Sequence, residues 1–504
     1  MATSHSGALA LVPMAGSVTL DGRSLSIDDV VAVARRNVSV ALDPRMLKAV
    51  AESRRVVEAA VARGQTIYGV NTGFGKLAHV RIPAEQARQL QLNLIRSHAS
   101  GVGDPLSVDA VRAMMVLRAN VLMRGTSGVR PVLPELLIEM LNRGVHPRVP
   151  SQGSVGASGD LAPLSHLALA MIGEGDDGRT LTAQGLKPVT LEAKEGLAFV
   201  NGTQAQTGLA ALLVSDAWML WRAAHAAAAM SLEAVRGTPD PFDARIHDAR
   251  PHPWQQRSAA LLRDLLADSE IRESHRENDP RVQDAYSLRC TPQVLGAVGE
   301  GLAFAERLVT TELNAATDNP LVFGDDVISG GNFHGQPIAL ALDVIAISLT
   351  TLAGLAERRL ERVVNPDLSS GLPAFLARDP GLESGFMTAQ IAAAALVADC
   401  RILATPASVQ SIPTEGNQED IVPMGMSAAW KAQRILGNAE RVIAIELLAG
   451  AQGLEYLKPL RPAKAVARLY AAVRQDSAAL ATDRPLTTDI ETVAAHIRAG
   501  RFAP

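Results

Sequence analysis

Gly153-Ser-Val-Gly-Ala-Ser-Gly-Asp160-Leu-Ala-Pro-Leu-Ser-His166 is the stretch on which the reading of this chain turns. Gly153, Gly156 and Gly159 recur at every third position, and an apolar run begins at Leu161. Composition alone makes this a tight turn entering a helix at Leu161 or Pro163, with Ser158 or Asp160 near the cap. Glycines also let backbone N–H groups approach an anion, so a phosphate-binding loop is the next reading. The second glycine-rich stretch, Tyr68 to Lys76, raises the same thought. Its Gly73-Phe-Gly-Lys-Leu77 core lacks the spacing and the Lys-Ser/Thr ending of a P-loop.

Outward from this loop, the second half of the chain is dominated by Ala, Leu, Glu, Arg and Gln, which lose little entropy in a helix. Thr207–Val235 is nearly free of Gly and Pro, and Gln293–Ala316 follows Pro292 and stops at Asp318-Asn319-Pro320. Leu342, Ile345, Leu349, Leu352 and Ala356 recur at helical spacing before Asn365-Pro366 closes that helix. Phe386–Ala404 and Met424–Leu457 add two more. These five segments are too apolar for exposed rods and predict a bundle whose alanine faces approach closely. A large oligomer interface would absorb the remaining apolar surface.

The first part of the chain is more mixed. Ser17–Leu25 predicts a short hairpin around Asp21-Gly22, and Asp28–Arg36 and Arg45–Arg63 predict helices. The expected class is therefore mainly α: a long central helical bundle, 201–504, with a smaller mixed N-terminal head, 1–200. The two form one functional unit.

Composition excludes other classes. The chain has 504 residues, 47% of them apolar, enough to bury a large core. Its 48 Lys and Arg against 52 Asp and Glu carry no long runs, which argues against nucleic acid or a membrane surface as partner. Cys290 and Cys400 are too few for a disulfide framework or a cysteine-rich metal site. The apolar patch Ala8–Pro13 has no basic leader, so no secretory signal is read there. Ile338–Ala356 could mimic a membrane span but contains Asp343 and reads as a buried core helix. The cytoplasm is the expected location.

Read whole, Gly153–His166 resembles the signature of the aromatic amino acid ammonia-lyases. In that family an Ala-Ser-Gly tripeptide cyclises into a methylidene-imidazolone electrophile (MIO). The resemblance places it at Ala157-Ser158-Gly159, with Asp160 assisting its formation and no external cofactor or metal. Other blocks match in family order. Tyr68-Gly-Val-Asn-Thr-Gly-Phe-Gly75 resembles the catalytic-tyrosine loop, and Asn201-Gly-Thr-Gln204 the asparagine motif. Gln283-Asp-Ala-Tyr-Ser-Leu-Arg-Cys290 resembles the segment supplying a second tyrosine and an arginine. Gly330-Gly-Asn-Phe-His334 and Asn417-Gln-Glu-Asp420 also match. The resemblance implies a mostly α, fumarase/aspartase-like fold and a homotetramer whose subunits share active sites.

The residue types suit the chemistry. A β-carbon proton is barely acidic and a free amine leaves poorly, so an electrophile that captures the amine fills a real need. By resemblance Tyr68 is the base at the β carbon, which requires a lowered pKa or a tyrosinate. Arg289 clamps the substrate carboxylate, which a guanidinium fork matches. Tyr286 and Asn201 bind substrate or tune proton transfer, and Gln283 and Phe333 line the site. Outside these motifs Tyr68 would read as a packed tyrosine, Arg289 as an ion-pair residue and Phe333 as core.

Ser97-His98-Ala99 stands at the family's selectivity position and resembles the histidine-acting branch, as does Glu419. His98 can hydrogen-bond an imidazole, and a carboxylate at 419 can pair with its cation. Ile421 and Pro423 stand where that branch has His and Ser, Gln410 where it has Asp, and Thr291 where it has Gln. The implied reaction is deamination of L-histidine to trans-urocanate and ammonia. A lyase or 2,3-aminomutase acting on Phe or Tyr is the alternative, and an inactive helical scaffold a remote one.

Overall fold

The computed structural model of the chain describes residues 16–504; the Ala8–Pro13 patch lies outside the described residues. Helices dominate, and the five predicted for the bundle lie at Gln204–Ala234, Thr291–Leu313, Gln336–Val364, Met387–Leu403 and Gly425–Glu455. Each lies within a few residues of its predicted span.

Gln336–Val364 and Gly425–Glu455 pack along their lengths on each other and on Gln204–Ala234. Small residues permit this approach. The run Ala226–Ala229 is wholly buried. A Cβ on Gly453 would come within 2.9 Å of the Ala234 methyl, so the absence of a side chain sets that crossing. Arg359 and Glu446, 1% and 0% exposed, pair at 2.6 Å between two of these helices. Ser231 Oγ, on the third, donates to the same carboxylate at 2.9 Å. The membrane-like segment Gln336–Val364 is thus a core helix. Its Asp343 is buried, paired with Lys431 and bonded by the N–H groups of Ala407 and Ser408.

The N-terminal part caps its helices as local chemistry demands. Ser26 and Asp29 form a capping box at Ile27–Arg36, and Asp43 caps Pro44–Ala62, with Pro44 in the first turn. The expected hairpin at Asp21-Gly22 does not form. Asp21 accepts from the N–H groups of Arg23 and Ser24, and the capping box starts a helix at once, leaving no length for a return strand. Val18–Leu20 instead pairs in parallel with Val40–Leu42, which follows that helix. The other strands form two short antiparallel pairs, Val102–Pro105 with Pro150–Gln152 and Leu321–Phe323 with Asp326–Ile328. One apolar core runs from Val18 to Phe502 and includes residues from both parts. The loops at the helix ends are left to build the site.

Candidate active site

The quoted stretch is a loop that enters the Leu161–Met171 helix. Its conformation explains its glycines. Gly156 and Gly159 have φ of +77° and +79°, in the left-handed region. A Cβ on Gly159 would also lie 2.5 Å from Gly202 N, so the two glycine backbones are in direct contact. Asp160 N donates to Gly202 O at 2.7 Å, and Asn201 Nδ2 donates to Ser158 O at 2.7 Å. Asn201 is buried, and its Oδ1 has no hydrogen-bond partner among the described residues.

Behind the loop, Asp160 is fully buried. Ser154 Oγ donates to it at 2.9 Å and Gln206 N at 2.9 Å. Burial outweighs these bonds and pushes its carboxyl up to about 6. Gln206 itself sits where glycines make room: a Cβ on Gly156, Gly335 or Gly425 would press on its amide.

In front of the loop lies a cavity of about 400 Å³. Ala157, Ser158, Asn201, Tyr68, Phe333 and Glu419 all line it. Tyr68 is half-buried, and its Oη accepts the Gly75 N–H at 3.1 Å. Its hydroxyl is held above the ordinary tyrosine range, chiefly by burial. The Gly75 bond opposes the rise, and the charges of Glu415 and Glu419 add to it. A base at this position therefore needs a compensating positive charge, which a cationic substrate would bring. Glu419 accepts from Thr414 Oγ1. His98 is half-buried at the end of Ala87–His98, its ring held below the ordinary histidine range by burial while Glu419 pulls it upward.

Four expected residues, His98, Gln283, Tyr286 and Arg289, are not among those that line the cavity. Gln283 and Tyr286 are exposed, Tyr286 to 70%, and neither lines the cavity. Arg289 stacks on the Tyr286 ring at 4.5 Å, and its buried Nε has no hydrogen-bond partner among the described residues. The cavity also recruits residues that the motifs did not single out. Asn319 lines it from the turn read only as a helix stop, and its Oδ1 accepts the Gly330 N–H at 2.7 Å. Glu415 lines it from within a run of three left-handed residues, Glu415, Gly416 and Asn417. Its nearness to the Asn417-Gln-Glu-Asp block was the available signal. Burial and the neighbouring Glu419 push its carboxyl up.

The family model for aromatic amino acid lyases matches residues 25–475. Histidine ammonia-lyase of Koribacter versatilis is 52% identical, covering 96% of this chain and 98% of that protein. Histidine ammonia-lyase of Myxococcus xanthus is 50% identical, covering 96% and 97%. Among solved structures, a tyrosine aminomutase from Streptomyces globisporus is 40% identical with a TM-score of 0.92, covering 97% and 98% of the two chains. Histidine ammonia-lyase of Trypanosoma cruzi is 43% identical with a TM-score of 0.89, covering 97% and 94%.

Proposed function

The chain belongs to the aromatic amino acid lyase family and is a carbon–nitrogen ammonia-lyase, and from that premise we propose that it removes ammonia non-oxidatively from L-histidine, giving trans-urocanate in the cytoplasm. The observation that carries this reading is the cavity that gathers Ser158, Asn201, Tyr68 and the carboxylate of Glu419 around one space. A second carboxylate, Glu415, stands in the same wall. A phenyl substrate gives such a wall nothing to bind, whereas an imidazole offers N–H donors and a cation. His98, within electrostatic reach of Glu419, is the second ring-reading group.

The residues present fit a backbone-derived MIO at Ala157-Ser158-Gly159. Gly159 has no room for a side chain against Gly202, and the orphaned Asn201 Oδ1 leaves a buried acceptor beside the loop. When formed, that group supplies an electrophile that turns the amine into a better leaving group. Asp160 assists its formation, Tyr68 takes the β proton, and Phe333 packs against the substrate. Gln283, Tyr286 and Arg289 serve a neighbouring subunit's cavity in a homotetramer, with Arg289 on the substrate carboxylate. The exposure of Gln283 and Tyr286, and an Arg289 Nε without a partner among the described residues, support that placement.

The likeness to a tyrosine aminomutase supports a second reading, in which the amine is returned to the β carbon of an aromatic substrate. A panel of His, Phe, Tyr and their β isomers, with product analysis, separates the two. Urocanate and ammonia from histidine alone are expected; a β-amino acid product would overturn the first reading. Intact protein should weigh two waters less than its sequence, and an unshortened mass would remove the MIO.

A further inference from the structure

One buried charge cluster is not used by the chemistry above. Arg118, at 0% exposure, is among the largest wholly buried side chains. Among the described residues no carboxylate is hydrogen-bonded to it. Nη1 donates to Gln204 Oε1 at 2.7 Å and to Thr317 O at 3.2 Å, and Nη2 donates to Ala198 O. Its nearest opposing charge, Asp318, is bonded to a second cation, Lys194 Nζ, at 2.8 Å, and both of those side chains are 0% exposed. Two cations therefore share one carboxylate in the buried interior. Burial holds the Arg118 guanidinium down to about 10 and Lys194 below the ordinary lysine range, with Asp318 opposing both.

This positive excess lies one residue behind the loop. A Cβ on Gly202 would collide with Arg118 Nη1 and come within 2.6 Å of Thr317 O. The backbone of the same glycine touches Gly159. Gly202 thus lies against both the guanidinium and the residue whose nitrogen must close the ring. The cluster also fixes the neighbouring donor. Arg118 holds Ala198 O near the end of the Glu195–Val200 helix, and Lys194 immediately precedes the start of that helix. Asn201 follows directly and donates to Ser158 O.

Resting on the reading of Ala157-Ser158-Gly159 as an MIO precursor, we propose that Arg118, backed by Lys194, is a positioning residue that drives closure of that ring electrostatically. In the closure, Gly159 N bonds to Ala157 C, and the Ala157 oxygen leaves as water with the amide hydrogens of Ser158 and Gly159. Ser158 then loses its hydroxyl and Cα hydrogen as a second water, so no oxidant or reductant is needed. Ser158 O belongs to the Ser158–Gly159 peptide. Drawing electron density onto that oxygen acidifies the Gly159 N–H. A hydrogen bond from Asn201 does this, and a nearby cation that holds only a share of one carboxylate strengthens it in low dielectric.

The test follows water loss by intact mass after a pulse of cell-free translation of the full chain, with folding followed in parallel by circular dichroism and melting temperature. Arg118→Met should fold yet lose water about tenfold more slowly, the factor that corresponds to roughly 1.4 kcal/mol of barrier. Arg118→Lys should recover most of the rate. If Arg118→Met fails to fold, Lys194→Met decides, because it removes a charge without touching Gly202; it should also slow water loss. Asp318→Asn, which removes the shared carboxylate, should be no slower than wild type. A purely structural cluster would instead slow all of these variants, the asparagine included, and that result would overturn the proposal, as would a wild-type rate in Arg118→Met or Lys194→Met. Wild-type protein that never loses water would overturn the MIO reading itself, a result distinct from any difference among variants.

Discussion

Replacing Glu415 with Gln removes one charge from the cavity wall and almost no volume. Burial, Glu415 and Glu419 all hold Tyr68 in its neutral form, and only the Gly75 N–H opposes them. If Tyr68 takes the β proton, its rate on the acid side follows the tyrosinate fraction, so losing the Glu415 charge should help the reaction there. A Cβ on Gly75 would overlap the Glu415 carboxyl, and Gly75 N lies 3.1 Å from Tyr68 Oη. Bond lengths then put that carboxyl within about 8 Å of the hydroxyl. Coulomb's law at that separation gives about 2 kcal/mol at an effective dielectric of 20 and about 0.5 in bulk water. This corresponds to lowering the Tyr68 pKa by between about 0.4 and 1.5. Glu415 is exposed, which places the expectation toward the lower end. The assay is kcat/KM for histidine against pH. The ascending limb should move to lower pH by this amount, with an unchanged melting temperature. A limb that stays in place, or moves to higher pH, would refute the electrostatic account of Tyr68.

Three further outcomes follow from the fold. Arg359→Met leaves the Glu446 carboxylate buried without its partner, so urea unfolding should show a loss of about 3–5 kcal/mol; a loss under about 1 would mean that water reaches the helix crossing. Gly202→Ala should cost about 1–3 kcal/mol through overpacking against Arg118 and Thr317, and mass spectrometry should find its two waters retained. His225, fully buried between Trp221 O and Ser258 Oγ, is held down to about 4 by burial, from an ordinary 6.5. Below pH 6.5 the unfolded chain takes up a proton that the fold refuses. This stability is therefore intact above 6.5 and lost down to about 4, by about 3 kcal/mol in all. Asp160 and Glu233 act in the opposite sense, so the comparison of wild type with His225→Gln in urea melts at several pH values isolates the term, and parallel curves would sink it.

The long helices were legible because their apolar period and their Pro and Asn-Pro stops are local signals; Gln336–Val364 ends where Asn365-Pro366 demands. The parallel pairing of Val18–Leu20 was not, since it depends on a strand beyond an intervening helix. In the site, the motif residues Tyr68, Ser158, Asn201, Phe333 and Glu419 were each readable from their blocks and do meet in one cavity. Glu415 and Asn319 were not, because their entry depends on left-handed backbone at 415–417 and on a turn that composition reads only as a helix end. The contact between Arg118 and Gly202 was hidden for another reason. An arginine in a helix and a glycine beside an asparagine carry no periodic mark of facing each other through a loop.

The cavity is assembled from segments between residues 68 and 421, and Gly159 packs on Gly202, 43 residues further along the chain. Under the proposed chemistry, ring closure waits until that packing has formed. The deficit of two waters is then a permanent covalent record of folding, carried by each polypeptide even after denaturant or heat has erased the fold. Weighing a fully unfolded sample would count how many of its molecules had once reached the native state.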